Sequence, residues 1–344
     1  MNTLRLTHED SQRSRRNNSH RVWCRFVGPS LEPKPAPEDA AVRIHGGFAS
    51  ISPEALRPIS ERCFFTIGSC FARVIEMSLR KHGVRVPSAD EKPFSDALYL
   101  FKKANNDTRF TSFLNRYNLP SMLQELRILV EGFPPSDANW LLYRNGEKWC
   151  DLHYADNFVD VSLEECHQRR TIVSRFLSHA LRAANTYVLT LGLCEAWFDR
   201  NEQAYLNQTP PPRVASANPG RFEWHFLDFQ DNLRTLSSIY ELLCNLKGSD
   251  EFELILTVSP VPLNYTFTSR DVVVANTEAK AILRAAAGEA VRRFARATYF
   301  PAYEIVMYSN PAVAWEPDKI HVQMPMSEHV VSTFMELLGA DRGT

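Results

Sequence analysis

The stretch Cys63-Phe64-Phe65-Thr66-Ile67-Gly68-Ser69-Cys70-Phe71-Ala72-Arg73-Val74-Ile75 decides the fold class and points to a site. Its first five residues are a short apolar run. Gly68, Ser69 and Cys70 are small, and Val74, Ile75, Ser78 and Leu79 then recur at helical spacing as far as Gly83. A strand, a sharp turn and a helix in that order are the context of a nucleophile elbow. The turn lifts one side chain to a helix N-terminus, where unpaired backbone N–H groups and the helix dipole favour negative charge. A thiol in that position loses its proton more readily, and the same N–H groups can hold an oxyanion.

Strand and helix patterns alternate on the C-terminal side. Tyr187-Val188-Leu189-Thr190-Leu191 and Leu254-Ile255-Leu256-Thr257-Val258 are continuous apolar runs suited to strands buried on both faces, and Tyr303-Glu304-Ile305-Val306-Met307 predicts a last strand. Between them, Val173, Phe176, Leu177 and Ala180 share one helical face, as do Leu233, Leu236, Tyr240 and Leu243, and Leu283, Ala287, Ala290 and Phe294. Nearer the first run, Val84-Arg85-Val86 predicts a second strand. Ser121 with Gln124 predicts a capping box for a helix that ends at Gly132. Asn145-Gly146, between Trp140–Tyr143 and Lys148–Cys150, predicts a hairpin. The alternation predicts an α/β fold with a mostly parallel sheet flanked by helices and interrupted by loop and hairpin insertions. Residues 1–41 are expected to be a disordered basic tail, with Arg13, Arg15 and Arg16, followed by an extended linker rich in proline. Residues 42–340 are then expected to form one domain.

Bulk composition excludes several classes of function. The chain has 344 residues, 44% apolar and 23% charged, which is ordinary for a globular protein. A net charge of −1 gives no general pull toward nucleic acid or acidic membrane. No apolar stretch approaches the ~18 residues of a spanning helix, and the N-terminus lacks the apolar core of a signal peptide, so a cytoplasmic location is expected. Seven scattered cysteines read as free thiols in a reducing compartment, with Cys63, Cys150, Cys166 and Cys244 as small buried hydrophobes. There is no P-loop, no Rossmann fingerprint and no zinc-ligand spacing, so no cofactor and no metal are expected.

In open parallel sheets, ligands bind beyond the carboxyl ends of the strands. Ser69 and Cys70 follow the first run, Gly192 to Glu195 follow the run at 187–191, and Ser259-Pro260 follows the run at 254–258. Asp318 and His321 come after the run at 303–307. Polar groups far apart in sequence are therefore expected to converge on one edge of the sheet. A hydroxyl or thiol is a weak nucleophile until a base takes its proton, and a carboxylate can fix the tautomer of that base.

The chain also resembles the GSCFA family, named for the letters of residues 68–72, and through it the SGNH hydrolases. The likeness rests on that pentapeptide, Asn115-Arg116-Tyr117-Asn118, Thr190-Leu191-Gly192-Leu193 with Glu195-Ala196-Trp197, Thr257 to Pro262, Tyr299 to Ile305, and Asp318-Lys319-Ile320-His321. It covers roughly residues 45 to 330. The resemblance implies a three-layer, flavodoxin-like α/β domain and a base and carboxylate in the form of His321 and Asp318. It places Cys70 at the nucleophile position and Ser69 where the wider superfamily has Asp; Cys70 is favoured as nucleophile, with Ser69 the alternative. The Asn oxyanion donor of the superfamily is missing, since Gly192 is followed by Leu193 and Cys194. Backbone N–H groups of Cys70 and Gly192, or the Asn118 amide, are expected in its place, with Gly68 and Phe71 beside them. Glu195 is expected to shape the pocket, and Arg116 to pair either with a substrate anion or with Glu195. The implied activity is an acyl-ester or thioester hydrolase or an acyltransferase, with an acylated carbohydrate as a candidate substrate and acyl-CoA as a candidate donor. The alternative is an inactive member of the fold that binds a glycan or acyl ligand.

Overall fold

In the computed structural model most of the apolar runs noted above become short elements of one α/β core. The structure describes residues 6–28, 31–54, 56, 61–89, 114–132, 139–154, 160–249 and 251–338. The chain falls into two units, Pro53–Tyr303 with Val331–Thr344, and Met1–Ser52 with Glu304–Val330.

Along the larger unit the main elements are β1 (Phe64–Gly68), α1 (Cys70–Lys81), α2 (Leu119–Glu131), β2 (Leu142–Asn145), β3 (Lys148–Asp151), α3 (Leu163–Ala183), β4 (Thr186–Leu191), β5 (Glu195–Asp199), β6 (Ala204–Leu206), β7 (Phe222–Phe226), α4 (Phe229–Lys247), β8 (Glu253–Val258), α5 (Val272–Arg293) and β9 (Ala297–Tyr299). The central sheet has the order β9-β8-β4-β1, all parallel. Its register aligns Gly68, Thr190 and Thr257 across three strands.

Side chains alternate across a strand, so each run serves both faces of the sheet. Phe65, Ile67, Tyr187, Leu189, Leu191, Leu254, Leu256 and Val258 point into one core with the apolar stripes of α2, α3, α4 and α5. Phe64 instead meets Phe334, and Thr66 meets α1. There a buried cluster ties the helix to the sheet. Arg73 donates to Glu76 at 2.5 Å and to the Thr66 carbonyl at 3.0 Å, and Ser88 donates to the other Glu76 oxygen at 2.5 Å. The parallel four-stranded sheet flanked by helices is the predicted architecture.

Helix ends follow the local chemistry. Ser162 with Glu165, and Asp228 with Asp231, form capping boxes for α3 and α4, and α4 stops at Gly248. Asn145-Gly146 turns the β2–β3 hairpin as expected. Three expectations differ. The cap of α2 is Asn118, not Ser121. Its Oδ1 accepts from the Ser121 N–H, while Gln124 Nε2 donates to the Tyr205 carbonyl. Val84–Val86 contributes only a parallel bridge between Cys63 and Arg85. Residues 303–307 belong to a helix, Ala302–Met307, and the last strand is the shorter β9 before Pro301. A short apolar run fits a buried helix turn as well as a strand, and periodicity cannot separate them.

In the smaller unit, His8–Asn17 is a helix with no buried residue, N-capped by Thr7. Asp39 is a hub whose carboxylate accepts from the backbone N–H groups of Arg25 and Ala36. Ala49 donates to Ser309 Oγ at 2.8 Å, and Trp23 packs edge-on against Tyr308.

Candidate active site

The elbow depends on two glycines. Gly68 has φ +146°, and a Cβ there would lie 2.4 Å from the Thr190 carbonyl oxygen. Only glycine permits both the backbone angle and the close approach of β1 to β4. A Cβ on Gly192 would lie 2.7 Å from the Tyr117 carbonyl oxygen, so the 115–118 segment can pass directly over the end of β4. The Arg116 N–H donates to the Gly68 carbonyl at 2.7 Å, and the Ser69 N–H to the Thr190 carbonyl at 3.2 Å. The turn is thus pinned on two sides.

Ser69 is the N-cap of α1 but makes no side-chain capping bond, and Cys70 is the first helical residue. Cys70 is half-buried and forms no disulfide. Its position in the first turn, where N–H groups have no partner within the helix, is the thiolate-favouring place that the sequence predicts.

Ser69 and Cys70 open into a cleft of about 310 Å³ at the carboxyl ends of β1, β4 and β8. Gly192, Glu195 and Ser259 also line it, so three of the strand-end signals meet there. The antiparallel sheet β6-β5-β7 forms one wall through Trp197 and Trp224, and the segment after β8 forms another through Tyr265 and Phe267. Four polar atoms in this lining are buried and have no hydrogen-bond partner among the described residues: Ser69 Oγ, Ser259 Oγ and the indole nitrogens of Trp197 and Trp224. Thr190 Oγ1 and Thr257 Oγ1, in register at the strand ends, are in the same condition. Buried polar groups normally find partners, and the four that line the cleft leave their donors and acceptors available to a ligand.

The other predicted residues have definite employments. Asn118 caps α2 and donates its amide to the Leu206 carbonyl at 3.1 Å, while still lining the cleft. Glu195 accepts from Thr266 Oγ1 at 2.5 Å and from the Phe267 N–H at 2.9 Å, which fixes the aromatic wall. Arg116 pairs with Glu125 rather than Glu195 and is fully buried. His153 Nε2 lies 2.6 Å from the same Glu125 oxygen. Burial pushes the Glu125 carboxyl up, but the Arg116 charge and the His153 hydrogen bond outweigh it and hold it at about 2. Phe71 has its side chain buried, so it can serve the cleft only through its backbone. Cys194 is buried and donates to the Ala279 carbonyl; burial pushes its thiol up to about 12.

Asp318 and His321 lie in the smaller unit and form a pair of their own. His321 Nδ1 is 2.6 Å from Asp318 Oδ2, and the N–H groups of Ile320 and His321 donate to Asp318 Oδ1. The His321 hydrogen bond, with those backbone bonds, brings the Asp318 carboxyl down to about 2. Nδ1 is therefore occupied, and Nε2 is the nitrogen that such a pair offers to a proton donor. Lys319 in this turn takes a left-handed conformation, φ +57°.

Sequence reading missed Trp224, Tyr265 and Phe267, which reach the cleft from distant segments, and Lys280. The last carried a signal, since Lys280 shares its helix face with Leu283 and Ala287, three and seven positions on. Among the described residues, no group of His, Cys, Asp and Glu is placed to hold a metal ion, and no helix is long and apolar enough to cross a membrane.

Among curated proteins and solved structures, none matches the chain. The family model that matches is that of the GSCFA family, over residues 63–334, from the strand before the elbow through the Asp318–His321 pair. By that match, which covers most of its length, the chain belongs to the GSCFA family.

Proposed function

We propose that the protein is an acyl-transfer enzyme, an ester or thioester hydrolase or an O-acyltransferase, with Cys70 as nucleophile. The observation that carries this reading is the position of Cys70 at the first turn of α1, opening into a cleft whose buried hydroxyls and indole N–H groups have no partners among the described residues. In the first step the Cys70 thiol gives its proton to a base. The sulfur attacks the acyl carbonyl, and first-turn N–H groups receive the oxyanion. The bond to the leaving oxygen or sulfur then breaks, and the leaving group takes the proton. Water or a sugar hydroxyl next attacks the thioester, the C–S bond breaks, and a proton returns to sulfur. His321, oriented by Asp318, is the base in this reading, and Ser69 is the alternative nucleophile. The aromatic wall of Trp197, Trp224, Tyr265 and Phe267 suits the apolar face of a sugar ring, and the indole N–H groups suit its hydroxyls.

The test is rapid quenching with a short activated acyl ester and with acetyl-CoA, followed by intact mass and peptide mapping. An acyl group on the Gly68–Ala72 peptide, absent in Cys70→Ala and accumulating more slowly in His321→Ala, is the expected result. An acyl group that persists in Cys70→Ala and vanishes in Ser69→Ala would reassign the nucleophile. The aromatic wall also favours a second reading, a glycan-binding module without catalysis. It predicts no adduct on the unsubstituted protein and undiminished ligand binding by Cys70→Ala.

A further inference from the structure

Lys280 is the least expected residue in the core. It lies in the middle of α5, is 1% exposed, and its Nζ donates to the Gly192 carbonyl at 2.9 Å. Lysine is almost never fully buried without an acidic partner, because stripping water from an ammonium is costly. Among the described residues Lys280 has no ion pair with a carboxylate; the groups its charge acts upon are the thiols of Cys194 and Cys70. Cys194 lies in the segment after β4 and Cys70 at the start of α1; Glu278 on α5 and Glu195 on β5 act on Cys194 in turn. Burial brings the Lys280 ammonium down to about 8.

Geometry places this charge at the elbow. Gly192, whose carbonyl Lys280 holds, packs against Ser69 so closely that a Cβ on it would lie 3.5 Å from the Ser69 Cβ. The alanines of the same helix face, Ala275, Ala279, Ala286 and Ala287, are buried and leave room for the helix backbone to come in close. Cys194 is already engaged, its thiol donated to the Ala279 carbonyl. That leaves Cys70 as the thiol that opens to a ligand.

We propose that Lys280 tunes Cys70, its buried ammonium holding the Cys70 sulfur in the thiolate form and holding the Gly192 carbonyl so that the strand end keeps its shape. Lys280 is a positioning and charge-setting residue that acts through the elbow. The inference deepens the reading above because it concerns the same thiol. Its test uses no acyl substrate, so each can fail without the other.

The experiment measures the rate at which Cys70 is alkylated by iodoacetamide across pH 5–10, read by peptide mass. It compares the unsubstituted protein with Lys280→Met and Lys280→Arg, each checked for fold by circular dichroism. Lys280→Met is expected to move the profile up by about one pH unit, which slows alkylation about tenfold at neutral pH; Lys280→Arg is expected to keep it near its original position. A Lys280→Met profile that superimposes on that of the unsubstituted protein would overturn the proposal. A second measurement needs no variant. The rate ratio of anionic iodoacetate to neutral iodoacetamide at Cys70 is expected to exceed that of free cysteine at pH 7 and to fall as the pH passes about 8, where Lys280 loses its charge. A ratio flat across that range would also overturn it.

Discussion

Two sets of buried polar groups in the larger unit invite comparison. Behind the cleft, the ions are matched: Arg116 and His153 share Glu125, Arg170 is bidentate on Asp151 at 2.7 and 2.9 Å, and Arg73 grips Glu76. At the cleft, the Ser69 and Ser259 hydroxyls and the indole N–H groups of Trp197 and Trp224 have no partner among the described residues, and the Thr190 and Thr257 hydroxyls at the strand ends are in the same condition. Both sets are costly to bury. The first recovers most of that cost within the protein and serves the fold, although Arg73 Nε and Glu125 Oε1 find no hydrogen-bond partner among the described residues. The second does not, and its location at the carboxyl edge of a parallel sheet is where a ligand would complete it.

The comparison breaks most sharply at the matched set. Glu125→Gln leaves the Arg116 charge buried without its carboxylate, and a loss of about 3–5 kcal/mol is expected, read by urea denaturation. Next in size is Gly68→Ala, which forces a Cβ toward the Thr190 carbonyl in a conformation that L residues rarely adopt. It is expected to cost about 1–3 kcal/mol and to abolish acylation of Cys70. A variant of unchanged stability would show that the strands can separate at this point.

Of the two sets, the matched one is the one on which acid should act. The folded Glu125 carboxyl sits at about 2 against an ordinary value of 4.5. The unfolded chain therefore binds this proton first, and stability present above 4.5 is lost as pH falls toward 2. Burial and the Arg116 charge lower the affinity of His153 for a proton, against an ordinary value of 6.5. Its protonation in the unfolded chain begins the decline from about that pH. Thermal melts from pH 7 to pH 2 should show both limbs, and the lower limb should flatten in Glu125→Gln.

The smallest stability effects belong to the cleft. Ser259→Ala and Trp224→Phe remove polar atoms that have no partner among the described residues, so each is expected to change stability by no more than about 1 kcal/mol. The same substitutions are expected to weaken ligand binding or acyl turnover severalfold. A large destabilisation by either would place it with the matched set.

The residues in each set differ in how legible they were. The elbow was readable because strand, small-residue turn and helix are local patterns, and Gly68 is required by geometry within a few residues of itself. The strand ends at Gly192 and Ser259 were readable because a parallel sheet brings the carboxyl ends of its strands together. The run at 303–307 was misread because four apolar residues around Glu304 fit a buried helix as well as a strand. The cap at Asn118 was displaced from Ser121 because its amide also answers the Leu206 carbonyl, from a segment far along the chain. Residues 90–113 lie outside the described residues.

The sequence by itself determined the alternation that makes the parallel sheet, the elbow with Cys70 at its helix start, the family, and the Asp318–His321 pairing, whose three-residue spacing closes one turn. Each of these is a matter of short range or of strand periodicity. Only the tertiary structure decided that Arg116 serves Glu125, that Trp224 and Phe267 wall the cleft, and that a buried lysine on α5 holds the carbonyl of Gly192. Those outcomes depend on which distant side chains the fold brings to a buried charge or an open carbonyl. That competition is settled by packing across the whole sheet and leaves little trace in any one segment.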